Sequence, residues 1–455
     1  MHIHILGICG TFMGGIAAIA KSDGHRVTGS DQAIYPPMNE QLQKLGIEII
    51  EGFDLHQLKL KPDLIVIGNI MSRGMPIIEE ILNNSIPFIS GPAWLSNYVL
   101  KDRHVIAIAG THGKTTTASL AAWILEDAGL DPGFLIGGVP TNFDTTARLG
   151  SGKFFVIEAD EYDTSFFDKR AKFIHYNPQT LVINNLEFDH ADIYKDMDAI
   201  LWQFHQLLRF LPSNAQIVSN GSSEEIEIKR LFAMGCWTPI LSYSSDESDN
   251  VDWKISSNEN LSIDFFSEKK KYKGSKFNLL GTHNLENAAA AILAAKSIGI
   301  DIQSSLNSLV KFNGVKRRLE LIGSSGGVEL YDDFAHHPTA VRRTLLTLKS
   351  ISKGRIIAVI EPRSNTMKMG THQGELIDAI KLTDLCWLFK PPELVWDPAD
   401  YLSENFRVVI SEDTESIVKD VVDNAKPEDK IVIMSNGSFD GIHQSILNAL
   451  RSNEK

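Results

Sequence analysis

Cysteine is scarce in this sequence: three occur among 455 residues, at Cys9, Cys236 and Cys386. An odd number at such wide spacing offers neither a disulfide framework nor the closely spaced ligands of a structural metal site. Proteins that depend on disulfides belong to oxidising compartments. The scarcity therefore predicts a reducing compartment, and we expect a cytoplasmic protein.

Long hydrophobic runs and positive charge are also in short supply. No apolar run is long enough to span a bilayer, and residues 1–20 lack a basic leading segment and are interrupted by glycines, which predicts strand and helix rather than a signal peptide. The net charge of -13 argues against a general nucleic-acid or anionic-membrane surface. We therefore expect small-molecule substrates, with no nucleic acid, membrane or obligate protein partner.

The composition is that of a globular protein, with 43% hydrophobic and 22% charged residues. A chain of this length predicts about three domains. Short apolar strands alternate with helical stretches, which is typical of parallel, doubly wound α/β sheets. We place the boundaries at 1–102, 103–315 and 316–455, with a turn-rich hairpin region at 244–273 in the middle domain.

The central feature of the sequence is the stretch VIAIAGTHGKTTT at residues 105–117. A strand, a glycine-rich turn and a helix in this order direct backbone N–H groups and the positive end of the helix dipole at a phosphate. Lys114 supplies charge for the β- and γ-phosphates, and Thr115 a hydroxyl for Mg²⁺. The general pattern would need glycine at Ile108, so this is a shortened variant. The predicted loop comprises Gly110, Thr111, His112, Gly113, Lys114, Thr115 and Thr116.

Acidic residues and one histidine follow two later apolar strands of the middle domain. Open α/β sheets bind ligands at the carboxyl ends of their strands, and hard oxygen ligands with one imidazole suit Mg²⁺ or Mn²⁺. Any single acid in such a position is about as often a solvated loop carboxylate or a helix cap as it is a metal ligand. Proximity to the phosphate loop favours Glu158 and His190 among Glu158, Asp160, Glu161, Asp189, His190 and Asp192.

A second glycine turn, at Gly7, Gly10 and Gly14, follows the first strand, and Asp31 ends the second strand where dinucleotide folds carry a ribose-binding acid. Cys9 stands in place of the second fingerprint glycine, which weakens the case for a nicotinamide dinucleotide. Glycines that only pack the fold are the other alternative. We favour another nucleotide or a nucleotide-sugar diphosphate.

The third domain has its own strand-end polar residues, Asp332, Asp333, His336, His337, Arg363 and Asn436. Arg363 lies in the loop EPRSNTMKMG, where its planar guanidinium could grip a substrate carboxylate with two parallel hydrogen bonds. The alternative is a surface arginine paired with Glu361 or Asp400.

Six motifs, GTHGKTTT, EADEYDTSF, NNLEFDH, GTHNLENAAAA, VKRRLE and YDDFAHHP, occur in this order. Together they resemble the Mur ligases of peptidoglycan assembly, over a span from His2 to about His443. The resemblance implies an ATP-dependent, amide-forming enzyme of three α/β domains. These are a Rossmann-like N-terminal sheet, a central P-loop ATPase-type sheet and a smaller doubly wound C-terminal domain.

The motifs also bear on the substrates. MHIHILGICGTFMGG, IYPPM, GNIMSRGMP, FFDKRAKFIHYNP, EPRSNTMKMG and MSNGSFDGIHQ are similar to family members that join UDP-N-acetylmuramate to the recycled tripeptide L-alanyl-γ-D-glutamyl-meso-diaminopimelate. GGVP, RRLE and DDFAHHP also fit members that add L-alanine, which we keep as the alternative. Rivals from other classes are a nucleotide-dependent switch and a dinucleotide oxidoreductase.

The resemblance also implies roles for residues. The N-terminal turn at Gly7, Gly10 and Gly14, with Asp31, would hold the UDP part of the muramate, and His283 and Asn284 would lie against adenine. Mg²⁺ would bind Thr115, Glu158 and His190, with Glu161 as an alternative ligand. Arg318, Asp333 and His337 would close over the site, with Arg318 also binding ATP, and Arg363 and Asn436 would bind substrate. The implied catalytic residues are Lys114, Glu158, His190, Asp333 and His337.

Overall fold

A computed structural model describes residues 1–34, 38–258, 261–402 and 408–453, so Tyr35 to Pro37 of the IYPPM motif lie outside the described residues. The chain forms two compact units. Unit 1 comprises Met1–Glu187, Asp198–Asn278 and Leu285–Asn313, and unit 2 comprises Phe188–Met197, Leu279–Asn284 and Gly314–Lys455. The predicted boundary at 316 lies near Gly314, and the boundary at 103 lies inside unit 1, between two separate sheets.

The N-terminal sheet of unit 1 has five parallel strands in the order β3-β2-β1-β4-β5. The central strand β1 is buried along its whole length, including its two histidines, His2 and His4. The strands are β1 (His2–Leu6), β2 (Arg26–Asp31), β3 (Glu48–Glu51), β4 (Leu64–Ile67) and β5 (Phe88–Ser90). The helices are α1 (Thr11–Ser22), α2 (Met38–Lys44), α3 (Pro76–Asn83) and α4 (Gly91–Leu95), with a 3-10 helix at Leu55–Leu60 and a π-helical turn at Ser96–Leu100.

A chain of buried polar side chains crosses this domain. His4 Nε2 lies 3.1 Å from Gln57 Oε1, and His4 Nδ1 lies 2.8 Å from Thr28 Oγ1. Because the amide oxygen only accepts, Nε2 carries the proton and Nδ1 accepts from the Thr28 hydroxyl. That hydroxyl in turn accepts from His2 Nε2 at 2.9 Å. Burial lowers the pKa of His4 to about 4, so the network contains a neutral imidazole.

The second sheet of unit 1 has ten strands in the order β17-β16-β15-β14-β13-β12-β6-β9-β7-β8. Its centre is parallel, and β15 to β17 form the antiparallel hairpins predicted for 244–273. A separate two-stranded hairpin pairs β10 with β11. The strands of this region are β6 (His104–Ala109), β7 (Gly133–Leu135), β8 (Ala147–Arg148), β9 (Phe154–Glu158), β10 (Asp163–Ser165), β11 (Asp168–Ala171), β12 (Thr180–Ile183), β13 (Gln216–Asn220), β14 (Ile240–Ser244), β15 (Trp253–Ser257), β16 (Ser262–Phe266) and β17 (Lys271–Lys276).

Five helices and one 3-10 helix accompany these strands. The helix after the phosphate loop is buried along most of its length, and the alanine-rich helix near residue 290 is buried over nine consecutive residues. The helices are α5 (Lys114–Asp127), α6 (Met197–Phe210), α7 (Ile226–Ala233), α8 (Thr282–Ser297) and α9 (Ile302–Leu309), and the 3-10 helix is Lys172–His175.

Unit 2 is built on a six-stranded sheet in the order β18-β19-β23-β20-β21-β22, parallel except for the edge strand β18. Buried apolar residues pack on both of its faces, as the doubly wound prediction requires. The strands are β18 (Glu320–Ser325), β19 (Val328–Asp333), β20 (Ile356–Ile360), β21 (Leu385–Phe389), β22 (Val408–Ser411) and β23 (Lys430–Met434). The helices are α10 (Pro338–Ile351), α11 (Asn365–Lys368), α12 (Gln373–Ile380), α13 (Thr414–Asn424) and α14 (Ile442–Asn453), with 3-10 turns at Pro398–Tyr401 and Phe439–Gly441.

The fold class predicted from the sequence, three α/β domains with mainly parallel sheets, is confirmed. Among the helices that the structure describes, none combines the length and apolar character needed to cross a bilayer.

Candidate active site

The phosphate loop joins the end of β6 to the start of α5, as predicted. Two of its positions require glycine. Gly110 has φ +125°, and a Cβ there would come within 2.8 Å of the Asn185 carbonyl oxygen. Gly113 has φ +79°, and a Cβ there would meet Asn287 Oδ1 at 2.3 Å. The loop is therefore packed tightly against neighbouring backbone and amide groups, with Lys114 and Thr115 opening the helix.

Residues just after β12 hold the loop in place. His112 N donates to Asn185 Oδ1 at 2.7 Å, and the Asn185 amide returns a bond to the His112 carbonyl oxygen at 3.2 Å. Glu187 N donates to Thr111 Oγ1 at 2.8 Å. Neither Asn185 nor Glu187 is among the residues predicted to act at the site. The feature that could have identified them is their position, because they are polar residues directly after β12, and β12 pairs with β6 in the sheet.

Lys114 forms an ion pair inside unit 1. Its Nζ lies 3.1 Å from Glu161 Oε2, with both side chains largely buried. Burial opposes the charge of the ammonium, but the carboxylates of Glu161, Asp160 and Glu158 outweigh it and raise the pKa of Lys114 above its usual value. The lysine is therefore a fixed positive charge at the start of α5. Thr116, the last residue of the predicted loop, is buried in the first turn of the same helix.

Thr115 and Glu158 provide oxygen ligands beside this charge. Thr115 Oγ1 donates to Glu158 Oε1 at 3.0 Å, and the other carboxylate oxygen accepts from Gly137 N at 2.7 Å. A hydroxyl and a carboxylate at this distance fit the hard oxygen ligands that Mg²⁺ prefers. His190, the third predicted ligand, belongs to unit 2, where its N–H donates to Asp189 Oδ1 at 2.7 Å. Its place at the metal stays a prediction.

The turn after β1 lines a cleft of about 320 Å³. Gly7 and Gly10 line this cleft, and Gly7 has φ +82°. Asp31 lies at the same cleft and binds the turn itself, because its carboxylate accepts from Cys9 N at 2.8 Å and Ala33 N at 3.3 Å. Gly14 makes room for a neighbouring side chain in α2, since a Cβ there would meet the Met38 sulfur at 2.2 Å.

Lys172 brings a positive charge to the same cleft, and the sequence analysis did not identify it. Its Nζ lies 2.7 Å from Asp160 Oδ2. The ammonium also lies 5.8 Å from the ring centroid of Phe12 and 5.5 Å from that of Tyr162. A lysine held by a carboxylate and two aromatic faces, beside a glycine turn at a helix start, suits an anionic group such as a diphosphate.

In unit 2, Asp333 and His337 shape the connection between β19 and α10. Asp333 accepts from Leu319 N at 2.7 Å and Ala335 N at 2.8 Å, and burial raises the pKa of its carboxyl. His337 caps α10, with Nδ1 accepting from Thr339 N at 3.3 Å. Arg318 lies over the Phe334 ring, 5.0 Å from its centroid. These predicted residues therefore cluster at one end of the unit 2 sheet.

His283 and Asn284 are neighbours in unit 2, at the start of α8. Burial lowers the pKa of His283 to about 4, with smaller contributions from Arg343 and Arg318. Asn284 Nδ2 donates to the Leu280 carbonyl oxygen at 2.7 Å. A neutral imidazole can stack on a base without bringing charge. The adenine contact remains a prediction.

Arg363 follows β20 and is about half exposed, and one guanidinium nitrogen lies 3.5 Å from Glu361 Oε1. The pairing with Glu361, which the sequence left open as an alternative, is therefore present. Glu361 is itself held by Ser435, whose hydroxyl donates to Oε2 at 2.5 Å. Next to Ser435, the side-chain oxygen of Asn436 is buried and has no hydrogen-bond donor in the part of the chain that the structure describes.

Comparison with known proteins matches three successive segments of the chain to Mur ligase domains. Residues 2–103 match the Mur ligase family, catalytic domain, residues 108–295 match the Mur ligase middle domain, and residues 317–437 match the Mur ligase, glutamate ligase domain.

The relatives match most or all of the chain. The UDP-N-acetylmuramate–L-alanyl-γ-D-glutamyl-meso-2,6-diaminoheptandioate ligase of Escherichia coli K12 is 48% identical over 99% of this chain and 98% of its own. The murein peptide ligase of Psychrobacter arcticus, a solved structure, shares 44% identity over 99% of both chains with a TM-score of 0.77. The UDP-N-acetylmuramate–L-alanine ligase of Syntrophomonas wolfei is 31% identical over 82% of this chain and 80% of its own. The chain belongs to the Mur ligase family, whose members are ATP-dependent ligases.

Proposed function

We propose that this protein joins the lactyl carboxylate of UDP-N-acetylmuramate to the amino group of L-alanyl-γ-D-glutamyl-meso-diaminopimelate, converting ATP to ADP and phosphate. The reaction class rests on the phosphate loop, where a buried Lys114 stands beside the Thr115–Glu158 pair. The choice of acceptor is supported by the 48% identity, across almost the whole chain, to a relative that carries this activity in its name.

The first step is phosphoryl transfer from ATP to the muramate carboxylate. Such transfers leave the protein mainly the tasks of positioning and of neutralising charge. The N–H groups from Gly113 to Thr116, at the start of α5, would cradle the phosphates, because those of Thr111 and His112 already donate to Asn185. Lys114 meets the charge that develops on the transferred group. The tight packing of Gly110 and Gly113 keeps these donors fixed before ATP arrives.

Magnesium would bind Thr115, Glu158 and His190, with Glu161 as the alternative to Glu158. When bound, it would neutralise charge on the β- and γ-phosphates. The Thr115 hydroxyl and the Glu158 carboxylate already lie together. We favour Glu158 over Glu161 because the Thr115 hydroxyl donates to Glu158, whereas Glu161 pairs with Lys114.

The muramate would be held at the N-terminal cleft. The turn at Gly7 and Gly10 and the start of α1 offer N–H groups to the diphosphate, and Asp31 keeps that turn in shape through Cys9 N. Lys172 supplies the positive charge for this anion, moving from Asp160 to the diphosphate. Gly14 contributes through the packing of α1 rather than by contact.

In the second step the tripeptide amine attacks the acyl phosphate and phosphate leaves. The amine must be deprotonated and held close, and water must be excluded because it would hydrolyse the acyl phosphate. We assign the acceptor to unit 2, where Arg363 and Asn436 offer polar groups and Arg318, Asp333 and His337 form a shared cluster. His283 and Asn284 would contact adenine.

We propose that the protein acts in the cytoplasm, in the recycling of peptidoglycan. It would return cell-wall peptides to biosynthesis and so contribute to cell-wall biogenesis, cell shape and cell division. We expect a single-chain enzyme that needs no protein, nucleic-acid or membrane partner.

The experiment is phosphate release by the purified protein with ATP, Mg²⁺ and UDP-N-acetylmuramate, comparing the tripeptide with L-alanine as acceptor. L-alanine is the serious alternative because a 31% identical relative is named for it. We expect release with the tripeptide and little with L-alanine. The opposite preference would assign the alanine reaction. Phosphate release at the same rate with either acceptor or with none would indicate a nucleotide switch.

A further inference from the structure

The segment around His190 is held by a loop of the third domain. The Thr366 hydroxyl donates to Asp189 Oδ1 at 2.9 Å and accepts from Ala191 N at 3.4 Å. All of these residues belong to unit 2, and both Thr366 and Asp189 are buried. One hydroxyl therefore bonds to the residue before His190 and to the residue after it.

Two flanking contacts extend this attachment. The His372 imidazole donates from Nε2 to the Phe188 carbonyl oxygen at 3.1 Å. The Asn365 amide donates to Asp192 Oδ2 at 2.9 Å. Residues on both sides of His190 are thus bound by side chains from the stretch 365–372.

The backbone of His190 adopts an uncommon conformation that these contacts stabilise. Its φ is +58°, in the left-handed region that residues with a side chain rarely adopt. Its N–H is also tied, at 2.7 Å, to the same Asp189 oxygen that accepts from Thr366. Strained conformations of this kind persist when the surrounding contacts fix them, and they are common at functional sites.

We propose that Thr366 is a positioning residue for His190: by fixing the backbone on both sides, it aims the imidazole at the metal. This inference rests on the proposed function, in which His190 is a metal ligand. Residues that orient a metal ligand typically contribute about 10- to 100-fold to metal affinity. Arg363 lies three residues before Thr366, so the loop that receives the acceptor also sets the geometry of the metal site.

The test compares Thr366→Val, which keeps the shape and removes both hydrogen bonds, with Thr366→Ser, which keeps the hydroxyl. Thr383→Val is the matched control, because its hydroxyl is also buried in unit 2 but donates to the Ile380 carbonyl oxygen. Binding of Mn²⁺ in the presence of a non-hydrolysable ATP analogue is measured by electron paramagnetic resonance. Hydrogen exchange of the peptide covering 188–192 is measured on the same proteins.

We expect Thr366→Val to weaken Mn²⁺ binding by about 10- to 100-fold and to speed exchange at 188–192, with half-saturation by UDP-N-acetylmuramate almost unchanged. Thr366→Ser should restore most of the affinity, and Thr383→Val should match the wild type. Equal Mn²⁺ affinity in wild type and Thr366→Val, or no recovery in Thr366→Ser, would overturn the inference. Because Mn²⁺ binding needs no acceptor, a wild type that fails to use the tripeptide would refute the proposed function separately.

Discussion

The ammonium of Lys114 lies 3.1 Å from the Glu161 carboxylate, in a pair that is largely withdrawn from solvent. The charge that the proposed mechanism directs at ATP is therefore already compensated by a carboxylate of the same unit. An incoming phosphate would replace Glu161 as the partner of the lysine. The pair keeps a buried cation in place at the start of α5, and it ties the phosphate loop to the EADEYDTSF motif.

Replacement of Lys114 by methionine should abolish tripeptide-dependent phosphate release, because the charge at the phosphates is lost. It should also lower the free energy of unfolding by about 3 to 5 kcal/mol, since the buried Glu161 carboxylate would lose its cationic partner. The double variant Lys114→Met, Glu161→Gln should regain much of this stability without regaining activity. Urea denaturation and phosphate release measure the two effects. Full activity in a folded Lys114→Met protein would remove the phosphate loop from the mechanism.

Much of the fold was predictable because its central strands are parallel and buried on both faces. Such strands appear in the sequence as continuous apolar runs, as in β20 and in the last five residues of β6. The edge strand β18 was not predicted. Its residues are mostly partly exposed and include Gly323, so its sequence has neither an apolar run nor clean alternation.

The site was predictable where chemistry depends on local spacing, as in the run from Gly110 to Thr116. It was not predictable where partners come from distant parts of the chain. Asn287 accepts from Thr117 Oγ1 at 3.1 Å across 170 residues, and the same amide oxygen limits the space at Gly113. Lys172 likewise lines the N-terminal cleft together with Gly7 and Gly10, although more than 160 residues separate them in the sequence, which no local pattern encodes.

Replacement of Glu158 by glutamine should raise the Mg²⁺ concentration needed for half-maximal turnover by at least about tenfold. Glutamine keeps one oxygen, but it cannot match a carboxylate that binds Thr115 Oγ1 and Gly137 N with separate oxygens. Half-saturation by UDP-N-acetylmuramate should change little. His190→Gln should act in the same direction.

The matched control is Glu126→Gln. Glu126 lies in the last turn of α5, at the opposite end of that helix from Thr115, and it pairs with Arg148. Its Mg²⁺ titration should superimpose on that of the wild type. If the curves of Glu158→Gln and His190→Gln are also unchanged, the metal ligands lie elsewhere, and Glu161 is the first candidate.

The buried His4 should make the protein less stable in mild acid. Its pKa is lowered to about 4 in the folded state, from 6.5, so the unfolded chain binds the proton more readily. Stability is therefore fully present above about pH 6.5 and is lost as pH falls toward 4. Between pH 7 and pH 5, protonation of His4 should lower the free energy of unfolding by about 2 kcal/mol. His283, whose pKa is also lowered to about 4, adds a loss in the same window.

Urea denaturation of the wild type, His4→Gln and His56→Gln at pH 7 and pH 5 measures this effect. His4→Gln should lose less stability on acidification than the wild type. His56, an exposed histidine of the same domain, serves as the control, and its variant should follow the wild type. Equal acid sensitivity in all three proteins would show that His4 does not titrate in this range.

Arg363→Ala should weaken use of the tripeptide by about tenfold to a hundredfold. This is the effect of losing a charge-assisted hydrogen bond of about 1.5 to 3 kcal/mol to an acceptor carboxylate. Glu361 lies 3.5 Å away and orients the guanidinium without covering it, because the side chain is about half exposed. Arg363→Lys should recover little of the lost activity, since an ammonium cannot reproduce the planar fork of the guanidinium.

The measurement is kcat/KM for the tripeptide and for UDP-N-acetylmuramate, and the control is Arg342→Ala, which replaces an exposed arginine of the same unit. Equal loss for both substrates, or none, would assign Arg363 to structure, through its pair with Glu361.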